Sequence, residues 1–320
     1  MLYPMILEPI LAPKPWGGDR LAAYGKAVAA GDRIGESWEV ADLDLDKFGT
    51  VPFGKSQVVN GPLAGETLRG LMTENGIELL GTAARFGQFP LLIKLLDARE
   101  PLSVQVHPTS DYVAHHPDTH MKTESWYVVE AEPEAVIFKG FRPGTQASDI
   151  ARTAGTPELV GYLQTIPVSA GDIHHLPAGT IHALGAGVLV AEVQTPSDTT
   201  FRLYDWTEEL NRPERPLQIA EALACLDYAD PPQADPIELG PTVRSLIHTD
   251  HYWIHEHRSP VGTLTTDASP GLRVFMVLTG TVAIGAVSAG IGSTVLVPAS
   301  TPSVVRAETT AIVLEIGLAR

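Results

Sequence analysis

Two histidines and a glutamate, His107, Glu124 and His182, supply the residue types of a catalytic divalent-metal shell. Each sits in a short run with its own signature. In Leu102-Ser-Val-Gln-Val-His107-Pro, a period of two puts Ser103, Gln105 and His107 on one face and Leu102, Val104 and Val106 on the other. A polar face of that kind on a core strand suggests a site inside a barrel, and Pro108 ends the strand. In Lys122-Thr-Glu124-Ser-Trp126-Tyr-Val-Val, Lys122, Glu124 and Trp126 share a face. In the stretch from Gly171 to Gly185 a Pro-Ala-Gly turn leads into His182. Imidazole and carboxylate suit Zn2+, and an incomplete protein shell leaves room for water or substrate oxygens. Gln105 could add a further neutral oxygen. The residues alone leave a second reading open, in which both histidines are hydrogen-bonded core residues and Glu124 is a surface carboxylate.

Such donors must be brought together by strands. The 29 Gly and 26 Pro punctuate short runs rich in Val, Ile and Thr, the pattern of an all-β sandwich or barrel with short helical insertions. Helices are predicted over Thr67–Leu80, where Leu68, Leu71, Ile77 and Leu80 fall near helical spacing, and over Leu217–Leu226 after Pro216. A pair of short helices broken at Gly155 is predicted over Ser148–Leu163. There is also an internal repeat. Gly171 to His182 can be laid on Gly292 to Ser303 with the same Gly-to-Pro spacing, and Trp126-Tyr-Val-Val on Phe275-Met-Val-Leu. This puts Glu124 against Arg273 and His182 against Ser303. Two jelly-roll copies are expected, the second degenerate and without metal-ligand residues.

The bulk numbers bound the function. A formal net charge of −16 argues against nucleic acid, which is bound through Lys and Arg on phosphates. With so few cations, a phosphorylated ligand would need Lys94, Lys122 and Arg202 concentrated at its site. No apolar run approaches a membrane span, and the first residues lack a secretory pattern, so a cytoplasmic protein without membrane partners is expected. Cys225 is the single cysteine and reads as a small core residue. His251, Trp253, His255 and His257 alternate like one solvated strand face; Asp42-Leu-Asp-Leu-Asp46 reads as solvated too.

Three blocks resemble the type I mannose-6-phosphate isomerases, a cupin family. They are Pro90-Leu-Leu-Ile-Lys94 with Ser103-Val-Gln-Val-His107-Pro, then Lys122-Thr-Glu124-Ser-Trp-Tyr-Val, then Gly171 to Gly185 running on to Glu192-Val-Gln and Ser197-Asp-Thr-Thr-Phe-Arg202-Leu-Tyr-Asp. Trp16-Gly-Gly and Gly35-Glu-Ser-Trp38-Glu-Val are similar to the short bacterial form. The resemblance implies cupin jelly-roll barrels: N-terminal strands and a small helical segment over 1–90, the catalytic cupin over 91–215, and a linker helix with a cupin-like domain over 216–320. It implies one Zn2+ per chain on Gln105, His107, Glu124 and His182, with Ser103, Lys94, Lys122 and Arg202 lining the substrate pocket. The expected reaction interconverts mannose 6-phosphate and fructose 6-phosphate through an enediol, in a monomer or homodimer. Arg202 suits an electrostatic or phosphate-binding role, while Lys94, Lys122, His174, His175 and Glu192 are all candidates for the proton-transferring base. The competing expectations are a non-catalytic zinc cupin that binds a sugar phosphate, and an isomerase of another phosphosugar.

Overall fold

The structure, a computed structural model, describes residues 2–44, 54–86, 88–264 and 271–319. The N-terminal segment gives β1 (Met5–Ile6), β2 (Ile10–Gly18) and β3 (Ile34–Val40), followed by helix α1 (Leu68–Leu80). Eight strands follow: β4 (Leu92–Ala98), β5 (Val104–Val106), β6 (Glu124–Ala131), β7 (Val136–Phe141), β8 (Leu163–Pro167), β9 (Ile173–Leu176), β10 (His182–Leu184) and β11 (Val188–Gln194). Helices α2 (Ser110–His115) and α3 (Ala147–Thr153) interrupt them. Then come β12 (Phe201–Tyr204), α4 (Ile219–Cys225), β13 (Ile237–Gly240) and β14 (Val243–His248). A second set of eight closes the chain: β15 (Tyr252–Ser259), β16 (Gly262–Leu264), β17 (Arg273–Thr279), β18 (Thr281–Ile284), β19 (Val287–Gly290), β20 (Thr294–Val297), β21 (Val305–Ala307) and β22 (Ala311–Leu318).

The two sets follow one path. The first forms a sheet ordered β4-β11-β6-β9 and another ordered β5-β10-β7-β8; the second gives β15-β22-β17-β20 and β16-β21-β18-β19. This is the expected pair of jelly-roll copies. β2 and β3 extend the first copy's sheet beside β4, β12 extends its facing sheet beside β5, and β1 pairs with β20 in the second copy. Each copy has an apolar core of its own: Leu96, Val128, Ile137, Leu184 and Val190 in the first, Phe275, Val282, Val295, Val305 and Val313 in the second.

The outer faces of the two large sheets meet in a third core. Ile93, Leu95, Leu189, Ala191 and Val193 pack there with Ile254, Val274, Met276, Leu314 and Ile316, with α1 alongside. Those strands are thus covered on both faces, which is why Leu92–Ala98 is buried throughout although its sequence does not alternate.

The predicted helices form, with one change of face. Thr67 caps α1 by accepting from the Gly70 N–H at 3.0 Å. Asn75 departs from helical geometry (φ −132°, ψ 25°), and Ile77, expected on the buried stripe, is 79% exposed beyond that kink. Two polar assignments also change. His257 opposes Val313 in the β15–β22 pairing and therefore points into the second copy, where it is buried against Glu315 at 2.8 Å rather than solvated. Asp42 is fully buried and bound by Arg69 and the Phe89 N–H; Asp46 lies outside the described residues. Cys225 is buried in the core beside α4, as expected.

Candidate functional site

Two facing rows of side chains, one per sheet of the first copy, define the site. On one sheet the register aligns Trp38, Lys94, Glu192, Trp126 and His174 across β3, β4, β11, β6 and β9. On the other it aligns Arg202, Gln105, His182 and Lys139 across β12, β5, β10 and β7. Residues directly opposite in a sheet share a face, so both rows turn inward together. Between them lies a cavity of about 400 Å3, lined among others by Lys14, Glu36, Lys94, Ser103, Gln105, Lys122, Trp126, Glu192, Asp198, Arg202 and Arg215.

His107, Glu124 and His182 converge at the centre of this arrangement, all essentially without solvent exposure. His107 Nε2 lies 3.3 Å from Glu124 Oε2 and His182 Nε2 lies 3.2 Å from Glu124 Oε1. The connecting turn brings two of them together. Gly179, at φ +89°, donates its N–H to the His107 carbonyl at 3.1 Å, and a side chain there would press on the Cys225 carbonyl at 3.0 Å.

The outer ring nitrogens settle the tautomers. His107 Nδ1 faces the Thr199 carbonyl at 3.0 Å and His182 Nδ1 the Thr180 carbonyl at 2.9 Å. A carbonyl only accepts, so each neutral ring carries its proton on Nδ1. Both Nε2 lone pairs then face carboxylate oxygens. His107 Nε2 and both Glu124 oxygens are buried without a hydrogen bond. Burial first, and Lys122 second, push the His107 pKa down to about 3, so protonation does not relieve the clash. Burial alone would raise the Glu124 pKa; Lys122, at 2.7 Å, and the two histidines outweigh it and hold the carboxyl well below its usual range. Acceptors facing acceptors in a dry interior are costly unless a cation sits among them. Two imidazoles anchored through Nδ1 and one carboxylate fit a divalent metal ion, with the backbone carbonyls orienting the rings. The three residues are the single such His/Cys/Asp/Glu group among the described residues.

The charged groups around the centre form a network. Lys94 lies 3.4, 3.5 and 3.6 Å from Glu36, Glu192 and Asp198. Burial opposes its charge, but these carboxylates prevail and raise its pKa. Glu192 accepts from the Trp126 indole at 2.9 Å, and burial followed by Glu124 raises its pKa. Ser103 donates to Gln105 Oε1 at 3.1 Å, and the Gln105 amide lies 3.2 Å from His182 Nε2. Arg202 has a buried Nε without a hydrogen bond.

Lys94, Ser103, Gln105, Lys122, Glu192 and Arg202 lie on the cavity wall, and His107, Glu124 and His182 form a buried cluster that Gln105 and Lys122 connect to it. Two candidate bases are not on that wall. His175 turns to Ser125, whose hydroxyl also meets Tyr252 of the second copy, and His174 ends the row away from the cavity. Asp198 also lines the cavity and faces Lys94. Glu36, Lys14, Arg215 and Gln218 were missed. Glu36 carried a signal, because it alternates with Trp38 in Gly35-Glu-Ser-Trp38; the other three lie in segments without periodicity.

Comparison with known proteins bears on this site. Residues 5–142 match the family model for the catalytic domain of type I phosphomannose isomerase. A mannose-6-phosphate isomerase of Streptococcus mutans is 35% identical over 237 residues, covering 74% of this chain and 72% of that protein. The chain belongs to the type I phosphomannose isomerase family. GmuF of Bacillus subtilis, named a probable mannose-6-phosphate isomerase, is 38% identical over 209 residues, which is 64% of this chain and 62% of that relative's length. The crystal structure of a mannose 6-phosphate isomerase from Bacillus subtilis superposes with a TM-score of 0.85 at 26% identity, covering 98% of this chain and 99% of that one. The likeness to that fold thus extends through the second copy.

Proposed function

We propose that this chain interconverts D-mannose 6-phosphate and D-fructose 6-phosphate, using one Zn2+ held by His107, Glu124, His182 and Gln105. The observation that carries the metal is that His107 Nε2 and both Glu124 oxygens are buried without a hydrogen bond, with His182 Nε2 3.2 Å from the same carboxylate. Turning the Gln105 amide over would present its oxygen to the same point and let its nitrogen donate to Ser103. The ion, when bound, supplies Lewis acidity toward the substrate's carbonyl and hydroxyl oxygens.

The chain's own residues do the remainder. The reaction moves a proton between C1 and C2 through an enediol, so a base must face the substrate carbon and a cation must face the developing negative charge. Lys94 is held as an ammonium by three carboxylates and is a fixed cation, not a base. Glu192 is the better proton carrier: it faces the cavity, and Lys122 lies within 4.0 Å of it. Arg202, opposite Gln105 on the facing sheet, stays charged and stabilises the enediolate end of the substrate or its phosphate. Trp16, Leu96 and Leu102 complete an apolar wall that limits water. The substrate is a small phosphosugar, and the net charge of −16 leaves nucleic acid a poor partner. Among the described residues no helix is long and apolar enough to cross a membrane. A cytoplasmic monomer or homodimer is the form we propose.

The test is NMR of mannose 6-phosphate incubated with purified, metal-loaded protein, with other aldose phosphates in parallel. Fructose 6-phosphate should accumulate to equilibrium. Turnover confined to another phosphosugar would replace the substrate assignment, and metal binding without any turnover would mean a binding module.

A further inference from the structure

Five cations line the cavity, Lys14, Lys94, Lys122, Arg202 and Arg215, and they are not equivalent. Lys94 is shared by three carboxylates, Lys122 lies 2.7 Å from Glu124, and Lys14 lies 3.1 Å from Glu36. A phosphate brought to any of these would meet carboxylates at close range. Arg202 differs, since no carboxylate forms an ion pair with it among the described residues and its Nε is buried without a hydrogen bond. Arg215 differs in another way. It spends Nε, at 2.6 Å, and Nη2 on the two oxygens of Asp205, leaving the Nη1 edge of a five-donor guanidinium for something else.

We propose that Arg202 and Arg215 together seat the phosphate of the substrate, with Asp205 as a positioning residue that fixes the plane of Arg215. Two guanidiniums line one cavity, and among the described residues Asp205 is the one carboxylate that forms an ion pair with either of them. Burial, and next the charge of Arg215, lower the Arg202 pKa, which is the strain an anion between them would relieve. The spacing fits as well. Arg202 and His182 lie in one row on strands either side of β5, a separation of roughly 9–10 Å at ordinary strand spacing. Six bonds separate C2 from phosphorus in an open-chain hexose 6-phosphate, about 7 Å at the advance per bond of an extended chain. The sugar would then lie across β10, β5 and β12, its reacting carbons by His182 and its phosphate at the edge strand. Arg215 comes from the segment leading to α4, so the substrate-facing wall is completed by the connection between the two copies. Gln218 ties that segment to β12, its N–H donating to the Arg202 carbonyl at 3.0 Å and its side-chain oxygen accepting from the Arg202 N–H at 3.2 Å.

This inference rests on the isomerase reading, and the test separates the two. Inorganic phosphate is titrated calorimetrically into zinc-loaded wild type, Arg215→Gln, Arg215→Lys and Asp205→Asn, and KM for mannose 6-phosphate is measured on the same samples. Arg215→Gln should weaken phosphate binding by roughly 10–100-fold and raise KM comparably, with zinc content unchanged. Arg215→Lys, which keeps the charge without the fork, should fall between wild type and Arg215→Gln, and Asp205→Asn should weaken binding less than Arg215→Gln. Phosphate affinity within about twofold of wild type in Arg215→Gln and Arg215→Lys alike would overturn the seat. A wild type that isomerises mannose 6-phosphate while Arg215→Gln binds phosphate normally would remove the seat alone. A wild type that binds phosphate through Arg215 yet turns over no mannose 6-phosphate would remove the isomerase reading and leave an anion site.

Discussion

The two jelly-roll copies share a strand path and differ in what they bury at one point. β6 opens with Glu124 opposite Leu176, just before Pro177; β17 opens with Arg273 opposite Val297, just before Pro298. Glu192 faces Trp126 in the first copy, and Glu315 faces Phe275 at the matching place in the second. Both interiors thus hold a buried glutamate on the same strand. In the second copy the chain supplies its own partners: His257 lies 2.8 Å from Glu315, and Arg273 lies 3.9 Å away on its other oxygen. In the first copy Glu124 takes the place of the arginine; Lys122 lies 2.7 Å from one of its oxygens, and the His107 and His182 Nε2 atoms face it at 3.3 and 3.2 Å. A buried carboxylate needs a partner charge in either case. In the second copy the side chains close the cluster among themselves; in the first, one lysine faces a carboxylate and two imidazoles, and His107 Nε2 is left buried without a hydrogen bond, the place for an ion from outside.

That contrast can be broken by substitution. His182→Ala should empty the metal from the first copy and cut kcat/KM by roughly 10³–10⁴-fold, read by metal analysis and a coupled assay. Retained zinc at full stoichiometry would contradict its role. Arg202→Ala should cost roughly 10²–10³-fold in turnover with zinc retained, because Arg202 makes no hydrogen bond to His107, Glu124 or His182. Loss of metal from that variant would move Arg202 from the substrate to the metal shell.

Acid should act on the first copy by a route whose sign is fixed. Burial pushes His107 down to about 3 and both His174 and His175 down to about 4, from an ordinary 6.5. Below pH 6.5 the unfolded chain takes up protons on these rings while the folded chain does not, so the unfolded state binds more protons. Stability of the metal-free protein should fall as pH drops from 6.5 toward 4.5, before the carboxylates begin to titrate. A melting temperature flat across that window would refute the buried neutral rings. The smallest effect falls in the second copy. His257→Ala should lower stability by about 1–3 kcal/mol in denaturant unfolding, with zinc content and kcat untouched. A loss of zinc there would mean that the two copies are not divided as described.

Much of this was legible in the sequence because it rests on short-range rules. Alternation placed Ser103, Gln105 and His107 on one face, and the Gly-to-Pro spacing exposed the repeat. The losses were long-range. Whether His257 faces water or core depends on its pairing with Val313, far along the chain, and alternation alone cannot choose between the two faces of a strand. Ile77 left its stripe at a backbone kink that no residue type announced. Arg215 and Gln218 come from a connecting segment whose path is set by tertiary contacts with β12 and Asp205. Glu36 alternates visibly with Trp38, but only sheet order puts it beside Lys94.

The central claim is a metal-dependent isomerisation at His107, Glu124 and His182. Its most direct test is the coupled assay of mannose 6-phosphate conversion on purified protein, run as isolated, after chelation and after Zn2+ is returned. We predict activity that vanishes with the chelator and returns with about one Zn2+ per chain. Conversion that persists in chelated protein shown to be free of metal would contradict it.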